Sequence, residues 1–454
     1  MKILDFKDDI KSSVVVFLVA LPLCLGIALA SNAPIASGLI SGIIGGIVIG
    51  LMSGSGISVS GPAAGLTVIV VNGIATLGSF ETFGLAVVIA GLFQIIFGII
   101  RFGAVGDYFP TAVIQGMLAA IGLILIIKQF PNAFSRESIG INVISGIALG
   151  IMLIWERLPF KLVPGALVAV VVTVLLNQLF DLISPENLVQ IPNAVFSNIK
   201  IPNFQSLNLS VLGVAITISI VASIETLLCI DAADTIDPLK RKTNRNRELF
   251  AQGVGNTISG LVGGLPLTAV IVRTSTNVTA GGKTKISAIF HGVWLLSLVL
   301  FVPDLLRLIP LATLACVLLL VGYKLTQPAL YFKMHKRGWE QFVIFFSTII
   351  GILATDLLIG ILIGLGIAIL FELRSPALSC VEILEEGNDV HIKFTKNVSF
   401  FHKAKIHKIM NDIRPEKKVH IHRHKDVRVH IDVHEIILEY QAKAQIGGRV
   451  VLIT

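Results

Sequence analysis

Apolar runs recur from residue 12 to about residue 375, each close to the length that crosses a hydrocarbon layer. Inside lipid every backbone N–H and C=O must find its partner within the protein, so runs of this kind fold as helices. A mean hydropathy of +0.86 with 14% charged residues excludes a water-soluble surface for this stretch. The pattern predicts an all-α polytopic membrane protein of fourteen spans, among them 12 to 31, 35 to 53, 58 to 78, 209 to 231, 267 to 280 and 304 to 322. The first run follows Lys2, Asp5, Lys7, Asp8, Asp9 and Lys11 and leads straight into further spans, so it reads as a retained helix.

The net charge of +8 is concentrated in loops, notably Asp237 to Arg247 and Tyr323 to Arg337, whereas the long loop Asp181 to Asn208 holds the single Lys200. This asymmetry reports membrane orientation rather than nucleic-acid binding, and with an even number of spans it puts both termini in the cytoplasm. Cys24, Cys229, Cys316 and Cys380 are scattered, with no metal spacing, and read as packing residues.

After residue 375 the chain changes character: residues 376 to 454 carry 13 Lys/Arg and 10 Asp/Glu and must lie outside the membrane. Strands are expected at Val390 to Phe394, Val419 to His424, Val427 to Val433 and Gly448 to Ile453, with a helix over Phe401 to Ile413, giving a small α/β module. His420, His422 and His424 share one face of a strand, which reads as a solvated face ahead of a metal site.

Two apolar stretches are broken by Gly and Pro at corresponding places. One contains Ser58-Val59-Ser60-Gly61-Pro62-Ala63-Ala64-Gly65, the other Gly263-Gly264-Leu265-Pro266-Leu267-Thr268-Ala269-Val270-Ile271. They fall in the third and tenth spans, seven apart, so the second half is inverted relative to the first. Paired broken helices point to a binding site at mid-membrane, where half-helix N-termini face an anion. Glu225, deep in span 209 to 231, is the candidate coupling-ion residue, because an ionised carboxylate there costs at least ~2.5 kcal/mol. Arg273 is a cation in the tenth span that needs a negative partner, an anionic substrate, or a route by which it snorkels to the interface. Gly281-Gly282-Lys283-Thr284 is no phosphate loop, since Asn277 stands where that motif needs glycine, and no enzyme-like grouping occurs.

In these residues the chain resembles the SulP family of sulfate permeases and related anion transporters. The segments that carry the likeness are Pro22 with Ala28, Ala33 to Leu39, Val59 to Ala64, Ser223 to Leu228, Asn246 to Asn256 and Arg273 to Thr284. The resemblance implies two inverted repeats of seven spans, a core domain moving against a gate domain, a homodimer, and a cytoplasmic STAS-like domain at 376–454 after the transporter domain at 1–375. It also implies an anion held by N–H groups near Ala63, Ala64 and Gly65 on one side and Ala269, Val270 and Ile271 on the other, with Glu225 at the coupling-ion position. Leu23 and Ile27 stand where the family often has glutamine and an aromatic residue, which shifts binding toward backbone dipoles.

The expectation is secondary active transport of a small inorganic oxyanion, sulfate or bicarbonate, across the inner (plasma) membrane by an elevator motion. Coupling would be to H⁺ or Na⁺, with no cofactor unless Na⁺ binds at Glu225. The rival readings are a passive anion channel and a membrane-tethered anion sensor signalling through the tail.

Overall fold

The computed structural model describes residues 3–135, 138–155, 157–158, 163–191, 200–373, 381–386, 389–395, 398–413, 417–423, 427, 429–446 and 451–453. Arg136, Cys380, His424, the start of the expected strand at Gly448 and the 375/376 boundary lie outside them. The chain divides into two compact units, one of Met1–Gly103 with Ile121–Thr326 and the other of Ala104–Ala120 with Gln327–Thr454.

Among the described residues, and apart from two connecting helices, Pro303–Arg307 and Pro328–Lys336, the apolar region holds fourteen helices. In order they are α1 (Ile3–Ala30), α2 (Ile35–Met52), α3 (Thr67–Leu77), α4 (Phe80–Ile99), α5 (Thr111–Ala133), α6 (Ile139–Trp155), α7 (Gly165–Phe180), α8 (Leu209–Ile236), α9 (Arg245–Leu261), α10 (Ile271–Thr279), α11 (Lys285–Phe301), α12 (Leu311–Leu325), α13 (Trp339–Ala354) and α14 (Leu357–Leu373). Six of the helical segments are long and apolar enough to cross a membrane by length and composition, and six more are shorter apolar helices. The span expected from 304 begins instead at Leu311. A separate short helix, Pro303–Arg307, precedes it, because Pro310 interrupts the run and occupies the N-cap of α12.

Within the first unit, glycines let helices meet at backbone distance. Gly84, Gly91 and Gly98 on α4 recur every seven residues and face Gly260, Gly253 and Phe250 on α9. A Cβ added at Gly91 would sit 2.6 Å from the Gly253 carbonyl oxygen, and one at Gly260 2.7 Å from that of Gly84. The two helices therefore run antiparallel, locked along three levels. Glycines 38, 42, 46 and 50, spaced by four along α2, serve the same end: Gly42 abuts Cys24 and Leu295, and Gly46 abuts Gly292, so α2 sits between α1 and α11.

The expectation of an all-α membrane region needs correction. Two three-residue strands, β1 (Ser60–Pro62) and β2 (Leu267–Ala269), pair antiparallel with Ser60 opposite Ala269 and Pro62 opposite Leu267. Prolines at 62 and 266 bar the continuous helices that the hydropathy suggested, and the extended segments pair with each other instead.

In the second unit a four-stranded sheet follows the order β3-β4-β5-β6, with β3 (Val381–Glu386), β4 (Asp389–Phe394), β5 (Lys418–Arg423) and β6 (Val451–Ile453). β3 and β4 are antiparallel, and the β4–β5 and β5–β6 pairs are parallel. Helices α15 (Lys403–Asp412) and α16 (Ile431–Ile446) pack on the face bearing Val390, Ile392, Val419 and Ile421. The strand expected over Val427 to Val433 is not formed: Val429 makes one bridge to Val398, and α16 begins at Ile431. Val433, Ile437 and Ala444 are buried at helical spacing, so the apparent alternation was the approach to a helix.

Candidate functional site

The β1–β2 ladder is the organising element of the site. Each strand leads directly into a helical segment: Ala64–Leu66 and then α3 after β1, and α10 after β2. Because the strands are antiparallel, the two helix starts lie at opposite ends of one short ladder. Neither Ala63 nor Val270, the residues at these starts, offers a side-chain cap. The first-turn N–H groups of an α-helix have no intrahelical acceptor, so each start presents unpaired donors and a positive dipole end.

A frame of buried polar side chains satisfies the broken backbone, as hydrocarbon surroundings require. Leu267 N–H donates to Asn256 Oδ1 at 2.6 Å, and Asn256 Nδ2 donates to the Leu267 carbonyl at 3.0 Å and to Gln94 Oε1 at 2.7 Å. Leu265 N–H donates to Ser41 Oγ at 2.6 Å, while its carbonyl accepts from Ser259 Oγ at 2.7 Å. On the other strand, Val59 N–H donates to Thr274 Oγ1 at 3.1 Å, and Asn277 Nδ2 to the Ile57 carbonyl at 2.8 Å. Glu248, fully buried, accepts from Ser53 Oγ, from Gly54 N–H at 2.8 Å and from Gln252 Nε2 at 3.0 Å; Gln252 Nε2 also reaches Ser60 Oγ at 2.7 Å. Glu248, Gln252, Asn256, Thr274 and Asn277 fall in the segments that carry the family resemblance, but the sequence assigns none of them this role, and Ser41, Gln94 and Ser259 carry no signal of their own.

The predicted site residues gather around this ladder. Glu225 on α8 lies against Gly65: a Cβ at Gly65 would come within 2.6 Å of Oε1, and Oε2 is shielded from solvent without a hydrogen bond. Thr226, its neighbour, accepts from Ala269 N–H at 3.3 Å. Val270 N–H donates to the Val59 carbonyl at 3.0 Å. Ala269 and Val270, expected to offer N–H groups to an anion, therefore spend them on the protein itself, because extended backbone at a ladder end pairs with its neighbours. Ile271, whose backbone N–H meets the Cys229 sulfur, and the residues after it form the uncapped first turn.

Arg273 is 0% exposed, so the snorkelling alternative is overturned. It sits in the first turn of α10, where a Cβ on Gly61 would overlap its guanidinium, with Cζ only 2.8 Å away. Its Nη2 donates to Cys24 Sγ at 3.3 Å, and Nε and Nη1 have no partner. Glu225 is not that partner: among the described residues no carboxylate pairs with Arg273. A buried cation left this way costs several kcal/mol unless a counter-charge arrives.

Away from the ladder, Asp231 and Asp234 are both held by partners in the protein. Arg245 Nη2 donates to both Asp231 oxygens at 2.8 and 2.9 Å, and Asp234 accepts from Thr243 N–H at 2.8 Å. The Lys283-Thr284 segment is held by the start of α1: both backbone N–H groups donate to Asp9 Oδ1, at 2.7 and 3.0 Å, and Lys283 Nζ pairs with Asp8 at 2.9 Å. His420 and His422 lie on β5 beside His391 of β4, whose Nδ1 is 2.9 Å from His422 Nε2. Among the described residues no group of three His, Cys, Asp or Glu converges to hold a metal.

Paired broken helices meeting at an uncapped ladder, within a mostly helical apolar bundle, define a multi-pass membrane protein of transporter type. The Sulfate permease family pattern matches residues 6–142 and 139–348, and the chain belongs to that family. It is 28% identical over 399 residues to the putative sulfate transporter YvdB of Bacillus subtilis, covering 81% of this chain and 74% of that protein. It is also 28% identical over 399 residues to the bicarbonate transporter BicA of Picosynechococcus, covering 80% and 69%. Among solved structures, the transmembrane domain of a cyanobacterium bicarbonate transporter BicA superposes with a TM-score of 0.69 at 26% identity, over 81% of this chain and 98% of that one. The murine Solute Carrier 26 family member A9 anion transporter in its inward-facing state shares the fold, with a TM-score of 0.70 at 14% identity, over 98% and 85%.

Proposed function

We propose that this chain is a secondary active transporter of a small inorganic oxyanion, sulfate or bicarbonate, driven by H⁺ or Na⁺. The observation that carries the reading is the pair of uncapped helix starts at the two ends of one ladder. An oxyanion accepts several N–H bonds at once, and two positive dipole ends favour its charge. Ala63, Ala64 and Gly65 supply one wall and Ile271 the other, while Ala269 and Val270 hold the second wall in place. Arg273 lies behind the ladder as a fixed positive charge that the anion balances. The names of the relatives, a sulfate transporter and bicarbonate transporters, agree with this ligand class.

Glu225 is the coupling residue of this proposal. Its shielded Oε2 lies beside Gly65, so a proton or Na⁺ bound there offsets the charge of the incoming anion and raises its affinity. Na⁺ favours oxygen ligands, which a carboxylate and nearby carbonyls provide. The fourteen helices form two inverted sets of seven, both termini face the cytoplasm of a cell whose plasma membrane holds the protein, and residues 376–454 form a STAS-like module. An elevator motion of the ladder-bearing core against a gate, within a homodimer, gives alternating access.

The test is uptake of radiolabelled sulfate and bicarbonate into proteoliposomes under imposed H⁺ or Na⁺ gradients, comparing wild type with Glu225→Gln. One anion is expected to accumulate with one gradient only, and the variant to equilibrate that anion without concentrating it. Equal accumulation by the variant removes Glu225 from the mechanism, and currents indifferent to either cation replace the transporter with a channel.

A further inference from the structure

A cavity of about 480 Å³ opens in the first unit where α4 ends and α9 begins, lined by Ile99, Arg101, Asn244, Asn246, Arg247 and Phe250. It lies in the loop region carrying Asp237 to Arg247, remote in sequence from the ladder residues. The Arg101 side chain makes no hydrogen bond or ion pair among the described residues, and the Arg247 guanidinium spends only Nε, on the Met52 carbonyl at 2.9 Å. The cations nearby are already matched: Arg245 by Asp231 at 2.8 Å and Arg241 by Asp237 at 2.7 Å. Glu248, the acidic residue next to Arg247, is fully buried and turned to Ser53 and Gly54. Among the described residues, two guanidinium groups therefore line one cavity without a carboxylate to meet them.

The backbone supports the same reading. Arg101 has φ +63°, a left-handed conformation following the last turn of α4, where glycine is the least costly residue. Asn246 Oδ1 accepts from Gly103 N–H at 2.9 Å, which ties the Arg101 turn to the first turn of α9. From the cavity an apolar column runs up α4, with Ile100 60%, Ile99 66% and Ile96 49% exposed, a surface that matches acyl chains in a membrane.

We propose that this cavity binds the headgroup of an anionic glycerophospholipid, with its phosphate between Arg101 and Arg247 and its acyl chains along Ile96, Ile99 and Ile100. Arginine matches phosphate oxygens bidentately, and a basic pocket at the end of membrane helices is where headgroups sit. The inference needs only the membrane embedding of the chain, so it stands or falls apart from the identity of the transported anion.

The test is native mass spectrometry of the full-length protein in detergent with added phosphatidylglycerol or with phosphatidylcholine of the same acyl chains. At about 1 kcal/mol per arginine, wild type should retain phosphatidylglycerol about thirtyfold more tightly. The Arg101→Gln/Arg247→Gln pair should lose most of that preference, while Arg101→Lys/Arg247→Lys should keep much of it. An unchanged preference in the Gln pair overturns the proposal. So does displacement of bound phosphatidylglycerol by millimolar inorganic phosphate, which would make this a site for free anions. Unchanged melting temperatures of the variants show that the comparison reads the site and not the fold.

Discussion

Asn256 closes both hydrogen-bonding groups of Leu267 with one side-chain amide, accepting from its N–H at 2.6 Å and donating to its carbonyl at 3.0 Å. The strand β2 therefore hangs from α9 as well as from β1. Asn256→Ala leaves two buried backbone groups without partners, at about 1–3 kcal/mol each. A lowered melting temperature of the purified protein, together with loss of uptake, is the expected outcome. Asn256→Asp, which keeps the acceptor and loses the donor, should fall between.

Gly65→Ala places a Cβ 2.6 Å from Glu225 Oε1. Overpacking of this kind costs about 1–3 kcal/mol, so the purified variant should unfold at a lower temperature. Binding calorimetry should also show weaker anion binding, because the added Cβ crowds the Ala63 to Gly65 wall and the Glu225 carboxylate together.

Arg273 has two unpartnered nitrogens in a fully buried setting, so bound anion should stabilise the wild-type protein against heat. Arg273→Gln should abolish that anion-dependent rise in melting temperature without lowering the anion-free value, since it removes an uncompensated charge. Were the variant instead to unfold several degrees earlier with its anion response intact, Arg273 would be a packing residue.

Gly253→Val tests the close pairing of α4 and α9, because a Cβ there already meets the Gly91 carbonyl at 2.7 Å. A destabilisation of about 1–3 kcal/mol is expected from overpacking, read as lower yield and earlier unfolding. The same change at Gly213, whose added Cβ meets nothing within 4 Å, should be nearly silent.

His430 of the second unit gives a pH dependence. Its Nε2 lies 2.8 Å from Gln341 Nε2, and burial above all holds its pKa below the ordinary 6.5. Asp432 and Glu340 pull it up, while Lys403 and Arg337 add to the depression. The folded unit prefers the neutral ring, so its stability is complete above the unfolded pKa of 6.5 and falls as pH drops through the lowered folded value. The protection factors of α16 amides, which are exchange rates taken relative to the intrinsic rate at each pH, should fall as pH is lowered from about 7.5 to about 5.5, spanning the range in which histidine titrates. His430→Gln should flatten that response.

The helices were legible because a run of about 20 apolar residues allows little else in lipid. Glu225 was legible for a related reason, as a charge where charge is costly. The two strands were not, since three residues carry no period and the prolines at 62 and 266 signal a break without naming its replacement. Asn256, Gln94, Ser41 and Ser259 stayed hidden because their partners are backbone groups elsewhere in the chain, as with Ser41 and Leu265. The glycines at 84, 91 and 98 carried a readable signal, two helical turns apart, which only the facing set at 253 and 260 makes meaningful. Ala269 lies in β2 and Val270 directly after it, and which N–H groups stay free there depends on pairing that spacing does not reveal.

The ladder joins Ser60 to Ala269, residues made at very different moments on the ribosome. When the first broken segment enters the bilayer, the strand that will complete its hydrogen bonds has yet to be translated. Until then Val59 to Pro62 must borrow partners from water or from the insertion machinery, at several kcal/mol for each group left bare in hydrocarbon. Biogenesis of this protein thus has a late commitment step, and a truncated chain ending before Leu267 should be handed to quality-control proteases as an incomplete fold.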